Sequence, residues 1–132
     1  MRTSTRVAAL IVKGKKLLLV KGKGFDIFWT PGGRINKGES EEECLRRELR
    51  EETGANLLSA KFFGEYSRMS PFHRRITRNR VYTVKIEGDI VPGNEIESFV
   101  WLSRAEFQSG KYNLIPLEKE EIIPALIKKG LF

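Results

Sequence analysis

An α/β fold, with a mixed sheet and helices packed on its faces, is predicted by three features of the chain. Runs rich in β-branched and aromatic residues recur on both sides of one charged helical segment. Two capping-box signatures mark helix starts, and the final stretch has helical spacing behind a proline. The 132 residues suffice for one domain, 1–132, with a buried core, and no linker, repeat or low-complexity tract divides them.

The elements follow in order. Val7 to Val12 and Leu17 to Val20 are apolar runs around Gly14, which predicts a hairpin closed by a tight turn. "FDIFWTPGG" reads as a short strand ended by Pro31 and two glycines. Ser40 followed by Glu43 is a capping box and Gly54 a stop, so a helix covers residues 41 to 53. "NLLSAKFFGEYSRM" and "ITRNRVYTVKIEG" read as long strands separated by a loop containing Pro71. "PGNEIESFVWLS" supplies a turn and a strand, and Ser103 with Glu106 repeats the capping box for a short helix. From Pro116 the tail reads as helical, interrupted or kinked at Pro124.

Composition narrows the function classes. No apolar run approaches the ~20 residues that span a bilayer, and "VAALIV" falls short of the ~7–15 residues of a secretory core, so a cytoplasmic location without membrane contact is expected. Cys44 is alone, which excludes an intrachain disulfide and a thiolate zinc site; it reads as a small buried apolar residue. The net charge of +7 favours anionic partners such as nucleotides, polyphosphates or nucleic acid. Its distribution is uneven. Residues 39 to 52 are acid-rich, whereas "HRRITRNR" at 73 to 80 carries four arginines and a histidine. Acid beside base in this way suits a site where a metal ion meets a polyanion.

On the predicted helix, Glu48, Glu51 and Glu52 share one face by their i, i+3 and i+4 spacing. No cation partners all three locally, so their repulsion calls for a divalent ion, and hard oxygen ligands suit magnesium or manganese. Arg47 stands four residues before Glu51, the spacing of an orienting ion pair. Gly32 and Gly33 permit close approach of backbone to metal or phosphate. Nine of the thirteen residues from 41 to 53 are charged, and for Glu41, Glu42, Glu43, Arg46 and Arg50 a solvated face accounts for the charge. Leu45, Leu49 and Cys44 form the apolar stripe that docks on the sheet.

The spacing of the remaining residues fits one pattern, GX5EX7REUXEEXGU with U a bulky aliphatic, from Gly33 through Glu39, Arg47, Glu48, Leu49, Glu51, Glu52 and Gly54 to Ala55. This resembles the Nudix box, the signature of the Nudix hydrolase family; only Ala55 departs, where Ile, Leu or Val is usual. "WTPGG" before the box and "FVWLSRAEF" after it extend the resemblance over most of the chain.

The resemblance implies an α/β/α sandwich around a loop-helix-loop. It also implies hydrolysis of a nucleoside diphosphate linked to another moiety, with divalent ions, usually magnesium. Glu48 and Glu52 would be chief metal ligands, Glu51 a ligand or base and the Gly32 carbonyl a further ligand, while Glu39 and Arg47 would be auxiliary. A general base outside the box has two candidates, Glu95 and Glu97. Nucleoside triphosphates and ADP-ribose are the leading substrates, the second because Pro71 resembles the proline that marks ADP-ribose pyrophosphatases. Arg34, Pro71, Arg74 and Arg78 are the candidate substrate contacts; Arg74, Arg78 and Arg80 share one strand face if that strand is regular. Phe28, Trp29 and Phe72 could stack on a base, and His73 reads as an exposed loop residue. Family members are often homodimers. An RNA-binding protein, or one processing RNA 5′ phosphates, is the alternative that the arginine cluster supports.

Overall fold

The computed structural model describes residues 3–70 and 74–132. Strand β1 (Thr3–Leu10) lies inside a four-stranded sheet, parallel to β6 (Ile76–Glu87) and antiparallel to β4 (Gly32–Arg34). β6 in turn pairs antiparallel with the edge strand β5 (Asn56–Met69). A second sheet orders β2 (Val12–Lys13), β3 (Lys16–Gly22) and β7 (Ile96–Ser103), all antiparallel.

The chain therefore has two sheets where one was expected, and the break falls at Ile11. The expected hairpin survives only as Val12–Lys13 against Lys16–Leu17, closed by Gly14 and Lys15, both at positive φ. β1 has left it to pair with β4 and β6. Within residues 25 to 30 the ladder pairing is limited to isolated bridges, Val20 with Trp29 and Phe28 with Leu114; the strand comes after the proline, where β1 supplies a partner.

Alternation along β1 explains the layers. Val7, Ala9 and Ile11 pack with Cys44, Leu45 and Leu49 of helix α1 (Glu41–Thr53), whereas Ala8 and Leu10 join Leu117, Ile122, Ile123 and Leu126 of the C-terminal segment. Leu45 and Leu49 are wholly buried, worth about 2 kcal/mol each in apolar transfer. The α1 ends are as expected: Ser40 and Glu43 make the reciprocal capping box, and Gly54 closes the helix in the left-handed conformation. Helix α2 (Arg104–Ser109) starts on the second capping box.

The tail departs from a regular helix earlier than Pro124. Residues Glu118–Ile122 form a π-turn, in which the Ile123 N–H donates to the Glu118 carbonyl, before α3 (Ile123–Lys128). Pro124 has no N–H for the carbonyl four residues back, so the preceding turn widens instead. No helix among the described residues is long and apolar enough to cross a membrane.

Candidate active site

Two elements meet at the site. The β4 strand runs beside α1, and its two glycines seat two of the helix carboxylates. Glu52 Oε1 accepts the Gly32 N–H at 2.8 Å. A Cβ at Gly33 would sit 2.6 Å from Glu48 Oε2 and closer still to its carboxyl carbon, so the missing side chain is the space that Glu48 occupies. At Gly32, φ is +152°, and a Cβ would press on the Val7 carbonyl and lie 2.8 Å from the Ala8 Cα.

Arg47 is the hub of the acidic cluster. Its Nε donates to Glu39 Oε2 at 2.7 Å, Nη2 to Glu39 Oε1 at 2.9 Å and Nη1 to Glu48 Oε1 at 2.6 Å. Glu51 is farther, at 3.6 Å. A fourth donation, from Nη2 to the Arg34 carbonyl at 3.2 Å, ties the helix to the end of β4. The expected Arg47–Glu51 ion pair is present, although Arg47 holds Glu39 and Glu48 more closely, and among the described residues no cation pairs with all three glutamates. Nor do the three carboxylates meet at one point: among the described residues no three acidic, histidine or cysteine side chains are grouped to hold a metal ion. Glu48 is bonded to the Arg47 guanidinium, whereas Glu52 is bonded to the Gly32 N–H.

The charge states follow from these contacts. Hydrogen bonds from the Arg47 guanidinium, and then from the Asn36 N–H, hold the Glu39 carboxyl down at about 2. Burial raises Glu48 and pushes Glu52 up to about 7, against the Gly32 N–H, which acts the other way. Burial also takes the Cys44 thiol to about 12, which leaves it an inert packing residue. A buried carboxylate with raised affinity for a proton is one that a hard cation would stabilise. Glu48 and Glu52, both seated on the glycine strand, are hard oxygen donors of the kind that suits a divalent cation.

A cavity of about 600 Å3 opens from this strand. Gly32, Gly33 and Arg34 form one wall, with Arg6, Trp29, Glu95, Arg75 and Glu118 around the rest. Of the arginines expected to face a substrate, Arg34 lines the cavity, but Arg74 and Arg78 do not. Arg74 lies before β6 begins, so strand parity does not reach it, and Arg78 stands 3.8 Å from Glu65 on the opposite side. Arg80 is tied to Glu41 and Glu65 and lies over the Phe62 ring. Glu95 reaches the cavity, whereas Glu97 pairs with Lys21 at 3.0 Å. Trp29 lines the cavity and Phe28 packs against Tyr112. Pro71, Phe72 and His73 lie outside the described residues.

Sequence reasoning missed Arg6 and Glu118. Glu118 is 2% exposed, accepts the Thr30 N–H at 3.2 Å and is raised to about 7 by burial, which the nearby Arg6 partly offsets. In "PLEKEEII" it is one of three glutamates, and its immediate neighbours do not set it apart. The one available signal was Pro124, which displaces the preceding turn.

Comparison with known proteins places this geometry. A family model described as the NUDIX domain matches residues 2–126. The chain is 30% identical over 105 residues to the NAD-capped RNA hydrolase NudC of Pseudomonas aeruginosa, covering 77% of this chain and 37% of that protein. It thus spans little more than a third of that relative's length. The solution structure of the E. coli ORF135 protein is 26% identical with a TM-score of 0.78, over 98% of this chain and 94% of that one. A NUDIX hydrolase from Nitrosomonas europaea, 21% identical, shares the fold with a TM-score of 0.79 over 98% and 89% of the two chains. With the family model matched from residue 2 to residue 126 and the box residues seated on their glycine strand, the chain belongs to the Nudix hydrolase family.

Proposed function

We propose that this Nudix hydrolase cleaves a pyrophosphate bond in a nucleoside triphosphate or another nucleoside diphosphate-linked substrate, with magnesium or manganese as cofactor. One observation carries the reading: the strand that seats Glu48 and Glu52 is also a wall of the cavity of about 600 Å3, so a molecule in the cavity lies against the carboxylate strand. Glu48, Glu52, Glu51 and the Gly32 carbonyl would hold the ion. When bound, it offsets phosphate charge and acidifies the attacking water.

The chain's own residues supply the rest. Arg47 keeps Glu39 and Glu48 oriented. Glu95, which lines the cavity, would take the proton of the attacking water, whereas Glu97 is paired with Lys21. Arg6, Arg34 and Arg75 present positive charge to a polyanion, and Trp29 offers an aromatic face to a base.

The deciding experiment is a magnesium-supplemented screen of nucleoside triphosphates, ADP-ribose, dinucleoside polyphosphates, nucleotide sugars and 5′-capped RNA, with products identified. A triphosphate cleaved between α and β phosphorus supports the leading reading. A second reading, removal of an NAD cap or other 5′ group from RNA, draws support from the similarity to NudC and from the arginines around the cavity. Turnover of capped RNA that falls steeply with salt, with free nucleotides inert, would favour it.

A further inference from the structure

Glu118 lines the cavity, and it and the acidic helix both bond one short piece of chain. Its Oε2 accepts the Thr30 N–H, and two residues on, the Gly32 N–H donates to Glu52. Between these points the Pro31 carbonyl accepts from the Ala9 N–H at 2.8 Å, and the Thr30 carbonyl accepts from Arg6. The Thr30–Gly32 segment is thus anchored at one end by a carboxylate of the C-terminal π-turn and at the other by a carboxylate of α1. Thr30 is fully buried and its hydroxyl has no partner among the described residues, so its orientation is held by two backbone contacts, the N–H to Glu118 and the carbonyl to Arg6.

Glu118 itself is fixed from outside. Arg68 of β5 donates to Glu120 at 2.8 Å and to Glu121 at 2.7 Å, in the same π-turn. A buried carboxylate is a costly way to satisfy one backbone N–H, since an apolar residue would fill the same volume. Its retention is explained by what the bond holds in place.

We propose that Glu118 is a positioning residue for the metal-binding carboxylate Glu52, acting through Thr30 and Gly32. The inference rests on the reading that Glu52 is a metal ligand. Loss of the acceptor at Glu118 lets Thr30 rotate, shifts the Gly32 N–H and frees Glu52 from the geometry in which it meets the ion. Because Glu118 also lines the cavity, the same contact links the substrate cavity to the metal site.

The test measures Mn2+ affinity by electron paramagnetic resonance, without substrate, in the wild type, Glu118→Leu and Glu118→Gln. Leu fills the volume but cannot accept, and is expected to weaken Mn2+ binding about tenfold. Gln keeps an acceptor oxygen and is expected to restore affinity to within about twofold. Melting temperatures run alongside, because a merely structural role lowers them without changing Mn2+ affinity. If Glu118→Leu fails to fold, Glu118→Met, longer and more adaptable, takes its place. Wild-type affinity in Glu118→Leu or Glu118→Met overturns the proposal, as does a Gln variant that restores nothing. Absence of Mn2+ binding in the wild type would overturn the metal-ligand reading itself, and is distinguishable from the other outcomes.

Discussion

The Gly32 N–H and the Glu52 carboxylate, twenty positions apart in the chain, meet at 2.8 Å and join β4 to the acidic face of α1. This contact brings a buried carboxylate against a strand that also walls the cavity. It is the junction on which the functional reading depends.

Gly33→Ala should separate the site from the fold. The added methyl would displace the Glu48 carboxylate, the end of a side chain that can move, so the stability change should stay within about 1 kcal/mol. A carboxylate moved by an ångström should lower turnover on the order of 100-fold. Melting curves and kcat measured on the same preparation check both halves; a large loss of stability with normal residual kcat would contradict the assignment.

The pH dependence of stability should carry the mark of Glu118. Its folded value of about 7 lies above the ordinary 4.5, so the folded state binds the proton more tightly. Its contribution is therefore full below 4.5 and lost as pH rises through 7, a swing on the order of 3 kcal/mol. Urea unfolding of metal-free protein at pH 5 and pH 8 should show a steeper decline for the wild type than for Glu118→Gln. Equal declines would show that Glu118 titrates normally.

The arginines should divide by position rather than by cluster membership. Arg75 lines the cavity and Arg78 faces Glu65, so Arg75→Ala should raise KM about tenfold and Arg78→Ala leave it unchanged. Steady-state kinetics on the substrate found in the screen distinguishes them, and a larger effect at Arg78 would move the binding face to the other side of the sheet.

How far the sequence was legible depended on whether the information was local. The α1 helix was readable to the residue because a capping box, a glycine stop and an apolar stripe all lie within it. Asn56–Met69 was equally readable from its length and β-rich composition. The transfer of β1 to a separate sheet was not, since nothing at Ile11 marks the break and the partners, β4 and β6, are distant in sequence. β4 was placed too early because Gly-Gly has poor strand propensity; it is a strand because β1 pairs with it and α1 needs its bare backbone. In the site, spacing singled out Glu48, Glu51, Glu52 and Arg47, but not how they share hydrogen bonds. The Glu39 contact arises from the fold of residues 34 to 40, and Arg47 then competes for Glu48. Glu118 was hidden because its burial comes from the π-turn and tertiary packing, which leave no period in the sequence.

The central claim is tested most directly by Glu52→Gln, assayed beside the wild type with magnesium on the best substrate from the screen. The variant keeps an oxygen for the Gly32 N–H, so the fold should be retained, while turnover should fall on the order of 1,000-fold or more. Turnover by Glu52→Gln at the wild-type rate, in a folded protein, would contradict it.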